Sequence, residues 1–233
     1  MRIIMKISGE ALKENSNISS NSLRKVLNEV KEIASKHEVM IVCGGGNFWR
    51  GRNDLEINNV ISDQVGMLAT VMNAISICSY FNQNGVESSC YGSFEIPGII
   101  RKDDLYDVNR DLSNKKVVIF GGGLGIPNLS TDMTTVSKAC EYNADIILMA
   151  KNVDAIYDRN PKEEGAKKIS EISHDDLLKT SLKQGSSSLM ILDIEALAKL
   201  AKFKIPMYVY NPNKIDNMND IILGEKGTKV ITR

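Results

Sequence analysis

One repeated unit constrains this chain more than any other feature: a short β-rich run, a stop of glycines, then a helical stretch. It occurs three times. Residues 2–7 lead into Ser8-Gly9-Glu10, residues 38–43 into Gly44-Gly45-Gly46-Asn47, and residues 116–120 into Gly121-Gly122-Gly123-Leu124-Gly125. Residues 86–91, 144–149 and 206–210 are further strand candidates. Their apolar residues are near-continuous rather than alternating, which suits strands covered on both faces, as in a parallel sheet. Between them, residues 22–36 carry Leu23, Val26, Leu27, Val30 and Ile33 at helical spacing, and residues 60–81, 131–142 and 189–203 read as further helices. The alternation predicts an α/β fold, a three-layer α/β/α sandwich around a mainly parallel central sheet. Ligands in such sheets bind at the carboxyl ends of strands, where all three glycine clusters fall.

Composition narrows the partners. Lysine plus arginine (29) balance aspartate plus glutamate (29), which argues against a nucleic-acid binder with a wide basic face and leaves room for a compact cationic pocket. The 233 residues, 42% of them hydrophobic, suit a single domain over 1–233 with a substantial core. Cys43, Cys78, Cys90 and Cys140 stand far apart without a CxxC pair, so the expected compartment is reducing and cytoplasmic, and a zinc or iron–sulfur site is disfavoured. The two histidines, His37 and His174, have no nucleophile or ligand cluster beside them. The opening Met1-Arg2-Ile3-Ile4-Met5-Lys6 is too short for a signal peptide. No charge occurs from Gln64 to Val86, but Thr70, Asn73, Ser76 and Ser79 interrupt the apolar part. A buried or interface helix is expected there rather than a membrane span.

Glycine turns let backbone N–H groups approach an anion closely. None here matches GxxxxGK[ST], and none has GxGxxG spacing, so neither an ordinary NTPase loop nor a dinucleotide-binding turn is expected. Lys6 interrupts an apolar strand just before Ser8-Gly9; either it snorkels from an edge strand or it is aimed at phosphate oxygens. Arg50 and Arg52 follow the second glycine turn, where a guanidinium can serve phosphate or simply face water. Asp63 is either a helix N-cap or an acceptor for sugar hydroxyls. Ser130-Thr131-Asp132 would cap the next helix while facing the third glycine cluster. Asp193, placed within an apolar helix, needs a partner, for which Lys6 or a metal-bound phosphate would serve. The run Lys151 to Pro161 reads as a hairpin loop whose Tyr157 could stack on adenine.

Three segments together resemble the bacterial uridylate kinase family of the amino acid kinase fold: Lys6-Ile7-Ser8-Gly9-Glu10-Ala11-Leu12, Gly44-Gly45-Gly46-Asn47-x-x-Arg50-Gly51, and Asp63-x-x-Gly66-Met67-Leu68-Ala69-Thr70-Val71-Met72-Asn73. The likeness runs end to end, through Asn152-Val153-Asp154, Asp193 and Gly224-Glu225-Lys226-Gly227-Thr228. It implies phosphorylation of UMP by ATP, with Mg²⁺ held mainly by nucleotide phosphates rather than by direct protein ligands. It implies catalytic roles for Lys6, Arg50, Asp132 and Asp193. ATP would meet Lys6, Ile7, Ser8, Gly9, Gly46, Arg50, Asn152, Tyr157 and Asn160. UMP would meet Gly45, Asp63 and the stretch Leu124, Gly125, Ile126, Pro127, Asn128, Leu129, Ser130 and Thr131. The UMP-binding part would span roughly 1–145 and the ATP-binding part roughly 146–233. The family forms homohexamers built from dimers and is inhibited by UTP.

This chain departs from the family pattern at Leu124 and Ile126, where Thr-Gly-Asn is usual, and at Asn160, where the family has aspartate. Residues 13–19 lack the glycine of the loop associated with GTP activation, so weak or absent GTP activation is expected. Two rivals are a kinase of carboxylates or carbamates on the same fold and a non-catalytic nucleotide sensor. The Asp63 to Asn73 segment speaks against the first, and the joint presence of Lys6, Arg50, Asp132 and Asp193 against the second.

Overall fold

The computed structural model describes residues 1–50, 57–184, 191–215 and 217–232. In chain order the elements are β1 (Arg2–Ile7), α1 (Ser20–Ala34), β2 (Glu38–Cys43), α2 (Asn59–Gln83), β3 (Ser88–Gly92), α3 (Leu105–Ser113), β4 (Val117–Gly121), α4 (Thr131–Glu141), β5 (Ile146–Ala150), β6 (Ile156–Tyr157), β7 (Lys168–Ile169), β8 (Glu171–Ser173), α5 (His174–Gln184), α6 (Ile194–Phe203), β9 (Met207–Tyr210), α7 (Met218–Ile222) and β10 (Thr228–Ile231). One eight-stranded sheet has the order β3-β4-β2-β1-β5-β9-β10-β8. Its pairings are parallel except β9 with β10. β6 and β7 form a separate antiparallel hairpin.

Helices cover both faces, which explains the unbroken apolar runs. Ile3, Met5 and Ile7 of β1 pack with α1, α2 and α7, while Ile4 packs with α3, α4, α5 and α6. The two-residue period of the strand therefore turns Lys6 toward the α4 layer. β1 lies between β2 and β5 in the middle of the sheet, so the edge-strand reading of Lys6 is wrong: only 9% of the residue is exposed.

The helices follow their caps. Ser19 accepts from Ser22 N at 3.0 Å and starts α1, and Leu23, Val26, Leu27, Val30 and Ile33 are buried as the spacing predicts. α2 runs 25 residues and is long and apolar enough by composition to cross a bilayer; its Ala74, Ile77, Cys78 and Phe81 pack on the sheet. The helix expected over 189–203 begins only at Ile194; residues 189 and 190 lie outside the described part. α3 and α5 were not anticipated, because α3 gives the core little more than Val108 and Leu112.

Candidate active site

The site is assembled where β1 and β2 end side by side. Gly44 N donates to Ile7 O at 2.8 Å, joining the two glycine turns. A Cβ on Gly9 would lie 2.5 Å from Gly46 N, and one on Gly45 would lie 2.9 Å from Gly66 O. Backbone meets backbone with no space for a side chain, the close approach that only glycine allows. Asn73 of α2 secures the second turn: its Nδ2 donates to Gly44 O at 2.6 Å and to Asn47 Oδ1 at 2.7 Å, while Asn47 Nδ2 donates back to Asn73 Oδ1 at 2.8 Å. Both asparagines are buried.

Lys6 reaches from this junction toward the start of α4. Its Nζ lies 3.6 Å from Oδ1 of Asp132, and Lys151 Nζ, just past β5, donates to the other carboxylate oxygen at 2.6 Å. All three side chains are less than one-fifth exposed. Burial lowers the Lys6 pKa; Asp132 opposes that shift and the Lys151 charge adds to it. Two ammonium groups around one carboxylate leave a local surplus of positive charge at the sheet edge, a place for an anion.

Two helix N-termini converge on the same edge. Ser130 caps α4, accepting from Met133 N at 3.0 Å, and its hydroxyl also donates to Asp193. Asp193 in turn caps α6, accepting from Ala196 N at 2.7 Å. This corrects the sequence reading of Asp193: it stands at a helix start, half-buried, and its partner is Ser130 rather than Lys6. Asp63 needs a correction too. Asn58 caps α2, whereas Asp63 lies inside that helix and accepts from Asn128 N at 2.6 Å. It thereby holds the 124–131 loop, in which Asn128 adopts φ +63° and Gly125 φ +73°.

Two clefts flank the lysine–aspartate cluster. One, of about 450 Å³, is lined by Gly45, Gly46, Trp49, Asp63, Gly66, Met67, Thr70, Ile126, Leu129, Ser130 and Thr131 among others. It gathers six of the ten residues expected around UMP; Leu124, Gly125, Pro127 and Asn128 belong to the same loop without lining it. The other, of about 180 Å³, is lined by Ile7, Ser8, Lys151, Asn152, Pro212 and Asn213, with Glu10 and Lys13 from the turn after β1 and Lys25 and Glu29 from α1. Lys151 lines one cleft, and Thr131, next to Asp132, lines the other.

The remaining expected residues are less concentrated. Arg50 is exposed and paired with Glu10 at 2.7 Å, a bond in water worth at most about 1 kcal/mol, so an arriving phosphate meets little competition. Tyr157 belongs to β6 and its hydroxyl donates to Asp154 at 2.9 Å. Asn160 closes its own turn, accepting from Lys162 N at 3.0 Å. The structure does not bring Tyr157 or Asn160 to the edge of either cleft. Gly51 and Arg52 lie outside the described residues. Sequence reasoning gave no role to Lys151, Trp49, Asn47 or Asn73. Lys151 carried a usable signal, a lysine directly after an apolar strand, as Lys6 is near the end of another. Trp49, whose Nε1 donates to Ser62 Oγ at 3.1 Å, carried none.

A profile of the amino acid kinase family matches residues 1–211. Among solved structures, the UMP kinase of Ureaplasma parvum superposes with a TM-score of 0.88 at 30% identity, covering 99% of this chain and 97% of that one. The UMP kinase of Bacillus anthracis gives 0.90 at 29% identity, covering 99% and 95%. The uridylate kinase of Archaeoglobus fulgidus, at 22% identity and a TM-score of 0.73 over 99% of this chain and 100% of that one, shares the fold.

Proposed function

The chain belongs to the amino acid kinase family, and from that premise we propose that it transfers the γ-phosphoryl group of ATP to UMP, giving UDP and ADP in pyrimidine nucleotide synthesis. The observation that carries this reading is the Lys6–Asp132–Lys151 cluster between two clefts, one of them lined by the Asp63 and Thr131 side of the molecule. The two structures with about 30% identity, both UMP kinases, support the choice of acceptor.

Chemistry of this kind needs no strong base, since a UMP phosphate oxygen is already ionised at neutral pH. The difficulty is to hold two polyanions in line. Lys6, beside Lys151 on the Asp132 carboxylate, offsets charge that spreads over the moving phosphoryl oxygens. Asp132 keeps Lys6 in place and charged, and Lys151 fixes the opposite side of Asp132. Backbone N–H groups of the glycine turns and of the α4 start add donors without like-charge crowding. Asp63, set by the Asn128 N–H, faces the ribose end of UMP, and Ser8, Gly9 and Asn152 face ATP, while Tyr157 and Asn160 stand away from both clefts. Mg²⁺ in such sites is held by nucleotide phosphates with one or two carboxylates. Here Asp132, held by Lys6 and Lys151, and Asp193, held by Ser130 and Ala196 N, would help to organise that ion rather than ligate it directly. When bound, the ion would offset phosphate charge.

The same reading includes a cytoplasmic homohexamer, feedback inhibition by UTP, and weak or absent activation by GTP. Sedimentation and nucleotide titrations address those points. The primary test is turnover of UMP with Mg²⁺-ATP, with CMP and a panel of carboxylate acceptors as controls. UDP formation selective for UMP is expected; phosphorylation of a carboxylate or carbamate instead, or binding without turnover, would overturn it.

A further inference from the structure

Away from the clefts, Cys78 of α2 and Cys90 of β3 meet. Ser88 and Cys90 share one face of β3, because strand side chains alternate, and that face packs against α2: Ser88 Oγ donates to Cys78 O at 3.1 Å and approaches Cys78 Sγ at 3.5 Å. One pleat further on the same face, Cys90 packs against the apolar cluster that holds Cys78. Asn82, one turn along α2, adds its Nδ2 at 3.5 Å from the same sulfur. Asn82 is itself fixed, accepting from Ser88 N at 2.9 Å and donating to Ser88 O at 3.1 Å. The Cys78 sulfur thus has two side-chain donors at 3.5 Å, and a second thiol stands on the strand face that covers it.

The surroundings divide the labour between the two thiols. Hydrogen bonds from Cys90, Ser88 and Asn82 and the Lys116 charge bring the Cys78 thiol down to about 6, against the effect of burial, whereas the same contact with Cys78 pushes Cys90 up. Cys43 is pushed up to about 12 by burial and Cys140 is also raised. Exposure differs as well: Cys78 is 9% exposed, and Cys90 is half-buried on β3, the last strand at one side of the sheet. Only a small oxidant fits such access.

We propose that Cys78 and Cys90 form a peroxide-oxidisable dithiol site, with Cys78 the attacking sulfur and Cys90 the resolving one. The Cys78 thiolate attacks one oxygen of a hydroperoxide, the O–O bond breaks, and the departing oxygen leaves as water or alcohol after taking a proton, giving a sulfenic acid. The Cys90 sulfur then attacks the Cys78 sulfur, its proton leaves with the hydroxyl group as water, and the disulfide forms. Two thiols are oxidised and one peroxide is reduced. Reduction by an external thiol restores the pair.

The test uses the full chain and hydrogen peroxide, followed by peptide mapping. A Cys78–Cys90 linked peptide is expected in the wild type, with Cys43 and Cys140 still free. In Cys90→Ser, a sulfenic acid at Cys78 should be trapped by a dimedone-type reagent; in Cys78→Ser, Cys90 should stay unmodified. At pH 7, Cys78 should react at least about tenfold faster than Cys140, as its larger thiolate fraction requires. Equal oxidation of all four cysteines, or a Cys78 in Cys90→Ser that resists trapping while circular dichroism reports a folded chain, overturns the proposal. The readout is thiol chemistry, so its failure leaves the phosphoryl-transfer reading untouched.

Discussion

Lys6 and Asp132 face each other across the end of the sheet at 3.6 Å, while the far oxygen of Asp132 is held by Lys151 at 2.6 Å. The shorter contact goes to Lys151, which leaves the Lys6 ammonium the less committed of the two and the freer to turn toward a phosphate. Substituting Lys6 by alanine should therefore lower kcat about 10²- to 10³-fold while changing UMP affinity far less. Steady-state kinetics with equilibrium UMP binding checks this; an unchanged kcat would remove Lys6 from the reaction.

Asp132→Asn leaves two sheltered ammonium groups without their carboxylate. Removing one partner of a buried pair costs about 3 kcal/mol or more, so a clear fall in denaturant midpoint is expected alongside the loss of rate. Lys151→Met added to Asp132→Asn should restore part of the stability and none of the activity, which separates the two roles of the carboxylate.

The lowered Lys6 pKa predicts an alkaline limb in kcat/KM, a quantity that reports the free enzyme. Lys6 is charged below its folded value, so kcat/KM should fall as pH rises through a point beneath the ordinary lysine range. Lys6→Arg, whose guanidinium stays charged, should lose that limb even though its overall rate is lower.

Glu29 provides an independent check on pH. It faces the smaller cleft from α1, with Lys25 beside it on the same helix and the buried Tyr210 of β9 nearby, and burial raises its carboxyl to about 7. The native state therefore holds this proton where the unfolded chain has released it, and stability falls as pH rises from the ordinary glutamate range toward 7. Glu29→Gln should flatten that fall and gain about 1–2 kcal/mol at pH 8, read from urea unfolding at several pH values.

Asp63→Asn should weaken UMP by about tenfold in KM, because a charge-assisted bond to Asn128 N and an acceptor for the sugar are both weakened. KM for ATP should hold steady. A parallel loss for both nucleotides would show that the 124–131 loop serves the whole site.

Much of this arrangement is legible in the amino-acid order, and the exceptions have physical causes. Strands β1 and β2 match the sequence reading residue for residue, since an apolar run covered on both faces ends abruptly at glycine. Ser130 is recognisable as a cap for the same reason that it acts as one. Asp193 misleads because Leu189, Ile191 and Leu192 prolong the apolar pattern upstream of the true helix start, although aspartate directly before Ile194 is itself a capping signal. α3 is hidden by its polarity, and Trp49 by the absence of any local pattern that would announce a cleft. The pairing of Lys6 with Asp132 needed the parity of β1, which sequence supplies, and the crossing of α4 over the sheet, which it does not.

The amide clasp between Asn47 and Asn73 has a consequence for how the site tolerates its surroundings. Neither partner ionises, so the clasp keeps the same donors and acceptors across the whole pH range of the folded chain. It also contributes no net charge where two anionic nucleotides must approach. Positional constancy and charge are thus assigned to different residues: the lysines and aspartates can respond to ligand or proton, while the glycine turn they surround is held by an electroneutral fastening that cannot.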